Sequence, residues 1–283
     1  MKKIIFSLVG LGFFATTFAQ EAFDKKMQFG IAFGAGINNN KTSNIMTSNG
    51  AGFDGTVGLN LNYNMNSTIT INTGLEFDFE SFSYTPKDTL LYYYSGNDIV
   101  KKYEYEEKDP TTILKDYNLF SLTERQYKTT YLTVPIFMML KTKPFGNMQY
   151  FGKFGGRVGF KIGGKINDKG YNFVKDSIQY GYSAELAENT EMVLEDDIRG
   201  LKINAGLSGG TMWNFSGTTM LVAELGYYFG VTQIHKGERI SGDDKMRSFT
   251  LLDLGTDRVL SDRKYTAPSA TQGQLMLKLT LFF

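Results

Sequence analysis

Cysteine is absent from the 283 residues, so the chain has no disulfide framework, thiol nucleophile or thiolate metal site. Histidine occurs once, as His235, and any imidazole-based catalysis must use it. Charge of one sign is also lacking. The formal balance is +1, which leaves no global bias toward nucleic acid. Long apolar runs are missing beyond the N-terminus: no later stretch reaches eighteen consecutive apolar residues, which excludes helical membrane spans. A chain without such a helix crosses a bilayer only as a closed barrel, because every backbone N–H and C=O must be paired within hydrocarbon.

What is present is glycine (31), phenylalanine (23) and tyrosine (17), preceded by an export-type N-terminus. Lys2 and Lys3 form a positive region, and Ile4 to Phe18 is apolar but only about fifteen residues long, too short for a comfortable span. Thr17 and Ala19 are small residues at the positions a signal peptidase reads. Residues 1–19 are therefore expected to be a cleaved signal peptide, with residues 20–283 a single barrel domain. Losing Lys2 and Lys3 moves the formal charge to −1.

Eight segments alternate with the period of a strand. In the first, Met27, Phe29, Ile31, Phe33, Ala35 and Ile37 share one face and Gln28, Gly30, Ala32, Gly34 and Gly36 the other. The rest fall near 56–63, 69–80, 127–140, 150–162, 201–208, 221–231 and 274–283. The third sets Leu75, Phe77 and Phe79 against Glu76, Asp78 and Glu80, and the last sets Leu275 to Phe283 against Gln274, Met276, Lys278 and Thr280. Tight turns near Asn64–Ser67, Thr142–Asn147 and Ser216–Gly217 alternate with long connections near 38–52, 81–126, 163–200 and 232–270. The expected fold is all-β: an eight-stranded antiparallel up-and-down transmembrane β-barrel with four long extracellular loops, located in the cell outer membrane. Aromatic girdles are expected from Tyr63, Tyr150, Trp213, Phe215 and Phe283 at the turn end, and from Phe79, Tyr131, Tyr227 and Phe229 at the loop end. A soluble up-and-down barrel puts its apolar face inward, whereas here the inward face is charged. Pro135 lies mid-strand and is expected to mark a local bulge.

The segment Tyr131-Leu132-Thr133-Val134-Pro135-Ile136-Phe137-Met138 resembles the tyrosine–leucine–x–isoleucine–proline strand of the PorT-like outer-membrane barrels of Bacteroidota. The glycine-rich stretch Gly152 to Gly164 is similar to that family's next strand. The terminal Phe-Phe, ending at Phe283, resembles the signal read by barrel-assembly machinery. The resemblance implies membership rather than mechanism: some relatives serve protein secretion, and many have no known role.

Several residues are candidates for chemistry. Glu76, Asp78 and Glu80 form an acidic ladder, and Lys153, Arg157 and Lys161 a basic one, joined inside by Glu224 and Lys278. An eight-stranded barrel is just wide enough to be filled by side chains, so these charges must pair. They read as a structural plug, or alternatively as a narrow conducting path, with Arg157 and Glu76 at matching heights. Tyr92, Tyr93, Tyr94, Tyr103 and Tyr105 enrich the second loop, either as partner contacts or as rings folded onto the rim. His235, followed by Ser241, Asp243 and Asp244, is the only possible catalytic constellation, against a solvated loop histidine. Residues 164–200 hold eight acidic and four basic residues, including Glu185, Glu188, Glu191, Glu195, Asp196 and Asp197. These suggest a solvated acidic surface or a calcium site without EF-hand spacing, and Ala184 to Ile198 suits a short helix. The function expected is a non-enzymatic accessory or structural subunit of an envelope assembly, with a small solute channel or receptor as the alternative and a lipid hydrolase using His235 behind it. Outer-membrane lipid and lipopolysaccharide, envelope proteins and the assembly machinery are the expected partners. No cofactor, metal or nucleic acid is expected.

Overall fold

A computed structural model describes residues 25–42, 45–100, 116–175, 180–182, 185–193, 197–216, 219–236, 251–253, 264–266 and 268–283. The expected signal peptide, Tyr103, Tyr105, Glu195, Asp196, Ser241, Asp243 and Asp244 lie outside these residues. No helix among the described residues is long and apolar enough to cross a membrane. The strands in chain order are β1 (Met27–Thr42), β2 (Met46–Ser48), β3 (Gly52–Asn64), β4 (Ile69–Pro86), β5 (Leu90–Ser95), β6 (Asp98–Ile99), β7 (Asn118–Lys141) and β8 (Met148–Lys175). They continue with β9 (Tyr180–Tyr182), β10 (Ala187–Val193), β11 (Leu201–Ser216), β12 (Thr219–Gly230), β13 (Leu251–Asp253), β14 (Lys264–Thr266) and β15 (Ala270–Phe282).

Eight of these close a ring by antiparallel pairing alone. The order is β1-β3-β4-β7-β8-β11-β12-β15, and β15 returns to β1 through registers such as Ile31↔Leu281. These are the eight segments that the alternation picks out. Their outward residues form a continuous apolar belt: Phe29 and Phe33 are both 60% exposed, with Leu277 at 53% and Leu207 at 68%. Ten residue steps from Met27 to Ile37, at ~3.4 Å each and a tilt of ~40°, make this belt about 26 Å tall. That height matches a bilayer's hydrocarbon core.

Pro135 does not mark a bulge. The β7–β8 register runs unbroken through Pro135↔Arg157 and shifts instead at Thr130/Tyr131, where Ile162 is the extra residue on β8. On its other side the β4–β7 register is also continuous from Thr73↔Ile136 to Glu76↔Thr133, with the bridges between them missing. Gly74 therefore stands opposite Pro135, and the ladder tolerates the absent N–H without a change of register.

The described residues of two expected loops, 81–126 and 163–200, are largely sheet. β4, β7 and β8 continue past the belt, β8 by about 40 Å of strand from Gly163 to Lys175. β2 adds to β4, β5 to β7, and β10 and β9 to β8. The expected helix within Ala184–Ile198 is a strand over Ala187–Val193, because pairing with Lys165–Gly170 of β8 outweighs helix propensity. One wall of the barrel thus rises high, while β11 and β12 end near the top of the belt.

Along the tall wall the polarity of both faces reverses. Its outward side carries Lys128, Lys165 and Lys169, with Lys165 paired to Glu191 at 2.5 Å. Its inward side is apolar and aromatic: Phe82, Tyr84, Leu90, Tyr92, Phe120, Leu122, Tyr127 and Ile166 form a buried cluster, closed from the far side by Met46, Ile198 and Ala270. We call this cluster the cap. Tyr131 belongs to it at 3% exposure, so it is not a girdle residue; its position in the strand points it inward.

Candidate functional site

The barrel interior is built in layers from the inward residues of each strand. At the turn end, Met139, Phe151, Met212, Met220, Val222 and Phe282 fill one side. Amides fill the other: Asn72 donates to Asn62 at 2.7 Å, and Lys141 donates to Asn64 at 2.8 Å. The middle layer is ionic. Arg157 Nη2 donates to Glu76 Oε2 at 2.8 Å and to Asp78 Oδ1 at 2.7 Å, and Lys278 Nζ reaches both oxygens of Glu76 at 2.8 Å. Lys153 donates to Glu224 at 2.6 Å, and Arg157 lies 5.2 Å from the Tyr228 ring centroid. Above this, Glu80 pairs with Lys202 and accepts from Gln274 at 3.0 Å, while Asp54 accepts from Asn38 at 2.6 Å.

Arg157 and Glu76 therefore meet across the lumen, as their matching heights require, and seven of the eight proposed interior charges are buried and paired. Lys161 departs from the set: it is half-buried and donates to the Ile198 carbonyl at 3.2 Å. Two members were missed. Lys202 falls on the inward face of its strand but was not connected to Glu80, which lies 122 residues away. Asp54 stands just before the segment in which alternation is clear.

The cap encloses a second polar group. His235 is 1% exposed and is not a solvated loop side chain. Its Nδ1 lies 2.9 Å from Asp197 Oδ1, and the Tyr127 hydroxyl donates to Asp197 Oδ2 at 2.5 Å. The Tyr84 hydroxyl is 3.4 Å from His235 Nε2. Burial alone works to raise the Asp197 carboxyl, but His235, the Tyr127 hydroxyl and Arg125 outweigh it and hold the group below the ordinary Asp value. Burial, then the charge of Asp197, pushes both Tyr84 and Tyr127 well above the ordinary tyrosine value, so both remain hydroxyl donors. Nearby, Arg125 is fully buried and forms a two-pronged pair with Asp168, Nε to Oδ1 at 2.7 Å and Nη2 to Oδ2 at 2.5 Å. Backbone pairing of Ile198 with His235 stitches the two far connections together. The signal for this group, one Asp and one His on separate connections, has no local spacing to reveal it.

Tyr92 and Tyr93 are each 1% exposed, which removes them from a partner-contact surface. Tyr92 stacks near Phe120 and Arg125 inside the cap, with ring centroids 5.4 Å apart in the first case. Tyr94 is half-buried and donates to Asn172 at 2.9 Å. Asp197 turns inward, away from any acidic loop surface. No three His, Asp or Glu side chains converge as a metal site among the described residues. Phe283 is 42% exposed at the turn end, its N–H bound to the Phe29 carbonyl at 2.9 Å.

Between the cap and the low side of the rim lies a narrow crevice with room for about one water molecule, lined in part by Glu80, Arg199, Lys202, Asn204, Thr232 and Gln272.

A closed antiparallel ring with an apolar belt of bilayer height and a polar interior of buried ion pairs defines an integral outer-membrane β-barrel. Residues 18–236 match the outer membrane protein beta-barrel domain family, and the chain belongs to that family. No curated protein matches the sequence. Among solved structures it is similar to Neisserial surface protein A, at 9% identity over 90% of this chain and 97% of that one, with a TM-score of 0.31. It is also similar to the attachment invasion locus protein Ail of Yersinia pestis, at 12% identity over 92% and 100%, with a TM-score of 0.30. A third is the outer membrane protease OmpT of Escherichia coli, at 9% identity over 95% and 99%, with a TM-score of 0.30.

Proposed function

We propose that the protein is a non-enzymatic accessory or structural subunit of an outer-membrane assembly, serving secretion or outer-membrane biogenesis and engaging envelope proteins through its extracellular face. The observation that carries this reading is the filled interior. Side chains occupy the lumen at the turn end, the middle and the mouth, so what the molecule offers to its surroundings is a surface. The tall wall gives that surface a folded shape. Its exposed lysines, Lys128, Lys165 and Lys169, face outward on a sheet anchored in the barrel below. The likeness of the Tyr131–Met138 strand to PorT-like barrels of Bacteroidota supports the same reading. So does the enclosure of His235 among Asp197, Tyr127 and Tyr84, where the imidazole serves the packing of the cap. Phe283 at the turn end is the element we assign to recognition by barrel-assembly machinery.

The test is purification of the tagged full chain from its native outer membrane in gentle detergent, followed by mass spectrometry. Stoichiometric recovery of other envelope proteins is expected, and their loss when Lys128, Lys165 and Lys169 are replaced by glutamate. Recovery of the folded chain alone, from membranes where crosslinking also finds no neighbour, would sink the proposal.

A further inference from the structure

We propose that Lys153 and Asn72 join in an intramolecular isopeptide bond inside the barrel, with Glu224 as the acid–base that drives it. The geometry comes first. Lys153 of β8, Asn72 of β4 and Glu224 of β12 are buried together, on three strands that are not neighbours in the ring. Lys153 Nζ donates to Glu224 Oε2 at 2.6 Å and to Asn72 Oδ1 at 3.2 Å. Asn72 Cγ, one C=O bond beyond that oxygen, is therefore within ~4.4 Å of the amine. Reacting atoms must close to ~3–3.5 Å, a small rotation for the long lysine stem. The carboxamide is held in place, because its nitrogen donates to Asn62 Oδ1 at 2.7 Å.

The combination of partners distinguishes this lysine. Lys278 reaches both oxygens of Glu76, and Lys141 reaches the carboxamide of Asn64. Lys153 touches a carboxylate and a carboxamide at once, which places a nucleophile, a proton acceptor and an acyl group at one point. The apolar turn-end cluster of Met139, Phe151 and Met212 lies alongside, with the Phe151 ring centroid 5.3 Å from Nζ. Such walls keep out the water that would otherwise hydrolyse the amide. Burial also penalises the charged pair, so passing one proton from Lys153 to Glu224, to leave amine beside acid, costs less here than in water.

The step balances without any co-reactant. The neutral amine attacks Asn72 Cγ and the Nζ–Cγ bond forms. Glu224 relays one amine proton to Nδ2, the Cγ–Nδ2 bond breaks, and ammonia leaves. Glu224 ends protonated, so the layer loses one charge of each sign and stays neutral. In a chain without cysteine, this amide supplies a covalent brace that reaches across β7 and ties positions 81 residues apart.

This inference is independent of the partner-binding reading, because it concerns the lumen rather than the tall wall. The full chain is purified folded from its native outer membrane, digested, and its peptides mapped by mass spectrometry. A branched peptide joining Asn72 to Lys153 is expected, lighter than its two parts by one ammonia, about 17 Da. Localisation to that peptide separates the loss from cyclisation of an N-terminal glutamine. Glu224→Gln is expected to leave both residues unlinked. Lys153→Arg keeps a cation for Glu224 and so preserves the fold; it is expected to abolish the link and to slow the boiled chain in a denaturing gel, since the loop is no longer closed. Folded wild type that yields Asn72 and Lys153 in separate, unmodified peptides overturns the proposal. Asn72 converted to aspartate without a link also overturns it, because water is then the nucleophile. A link that persists in Glu224→Gln overturns the role of Glu224.

Discussion

Arg157 donates through one nitrogen to two carboxylates, and each carboxylate has a different reserve. Glu76 keeps Lys278 if Arg157 is lost, whereas Asp78 keeps, among the described residues, only the Thr133 hydroxyl at 2.5 Å. Arg157→Met therefore leaves a buried carboxylate without a cation, and is expected to cost about 3–5 kcal/mol in urea unfolding of the reconstituted barrel. A loss below ~1 kcal/mol would mean that the layer rearranges freely. Asp197 makes the corresponding prediction outside the membrane. Its folded carboxyl titrates below the ordinary Asp value, so the ionised form stabilises the cap at neutral pH. That contribution is present above about pH 3.9 and is lost as pH falls through the lowered folded value. Asp197→Asn is expected to destabilise the cap at pH 7, read by near-ultraviolet circular dichroism of its tyrosines. The gap between wild type and variant is expected to close in stronger acid. A gap of constant size from neutrality down to pH ~2 would exclude this linkage.

The barrel strands and the wall strands illustrate what alternation can reveal. Within the belt, β15 places Leu275, Leu277, Leu279 and Leu281 outward and Gln274, Met276, Lys278 and Thr280 inward, and the sequence shows it directly. Beyond Phe79 and Ile162 the same strands continue, but lysines face out and aromatics face in. A reader following apolar-out alternation stops there, although the strand does not. β5 hides further, since Leu90, Leu91, Tyr92 and Tyr93 are all buried and the strand shows no alternation at all. The Arg157–Glu76 pair was legible because both residues sit at countable heights above short turns. The His235–Asp197 pair was not, because it depends on how two long connections fold together. Gly170 ties the wall to a single physical requirement. A Cβ there would collide with the Ser121 carbonyl oxygen and the Phe120 ring, where β8 and β7 approach closely. Gly170→Ala is expected to force these strands apart only above the belt. Hydrogen exchange in residues 118–124 would then accelerate, with the heat-resistant electrophoretic mobility of the barrel retained. Unchanged protection there would show that the wall yields without opening.

At the scale of the whole molecule, three closures lie in series along one axis. An apolar and amide layer seals the turn end, the ionic layer around Arg157 fills the middle, and the cap with Tyr84, Tyr127 and His235 covers the mouth. Conduction through a series is limited by its tightest member, so relieving one closure leaves the other two in place. The wild-type protein in planar bilayers is therefore expected to show no steady conductance steps. Phe151→Ala with Met212→Ala, which empties the lowest layer, is expected to show none either. Arg157→Met alone is expected to behave the same way, because Met139, Phe151 and Phe282 still pack below it and the cap above. A variant that combines the lower-layer and ionic substitutions with disruption of the cap at Gly170 is the one expected to pass ions. Steady steps from the wild type would place a continuous path through these layers, and the accessory-subunit reading would give way to a channel. Steps from Phe151→Ala with Met212→Ala alone would identify the turn-end layer as the only true barrier, and the ionic layer would then be the selectivity element that Arg157 and Glu76 form across the lumen.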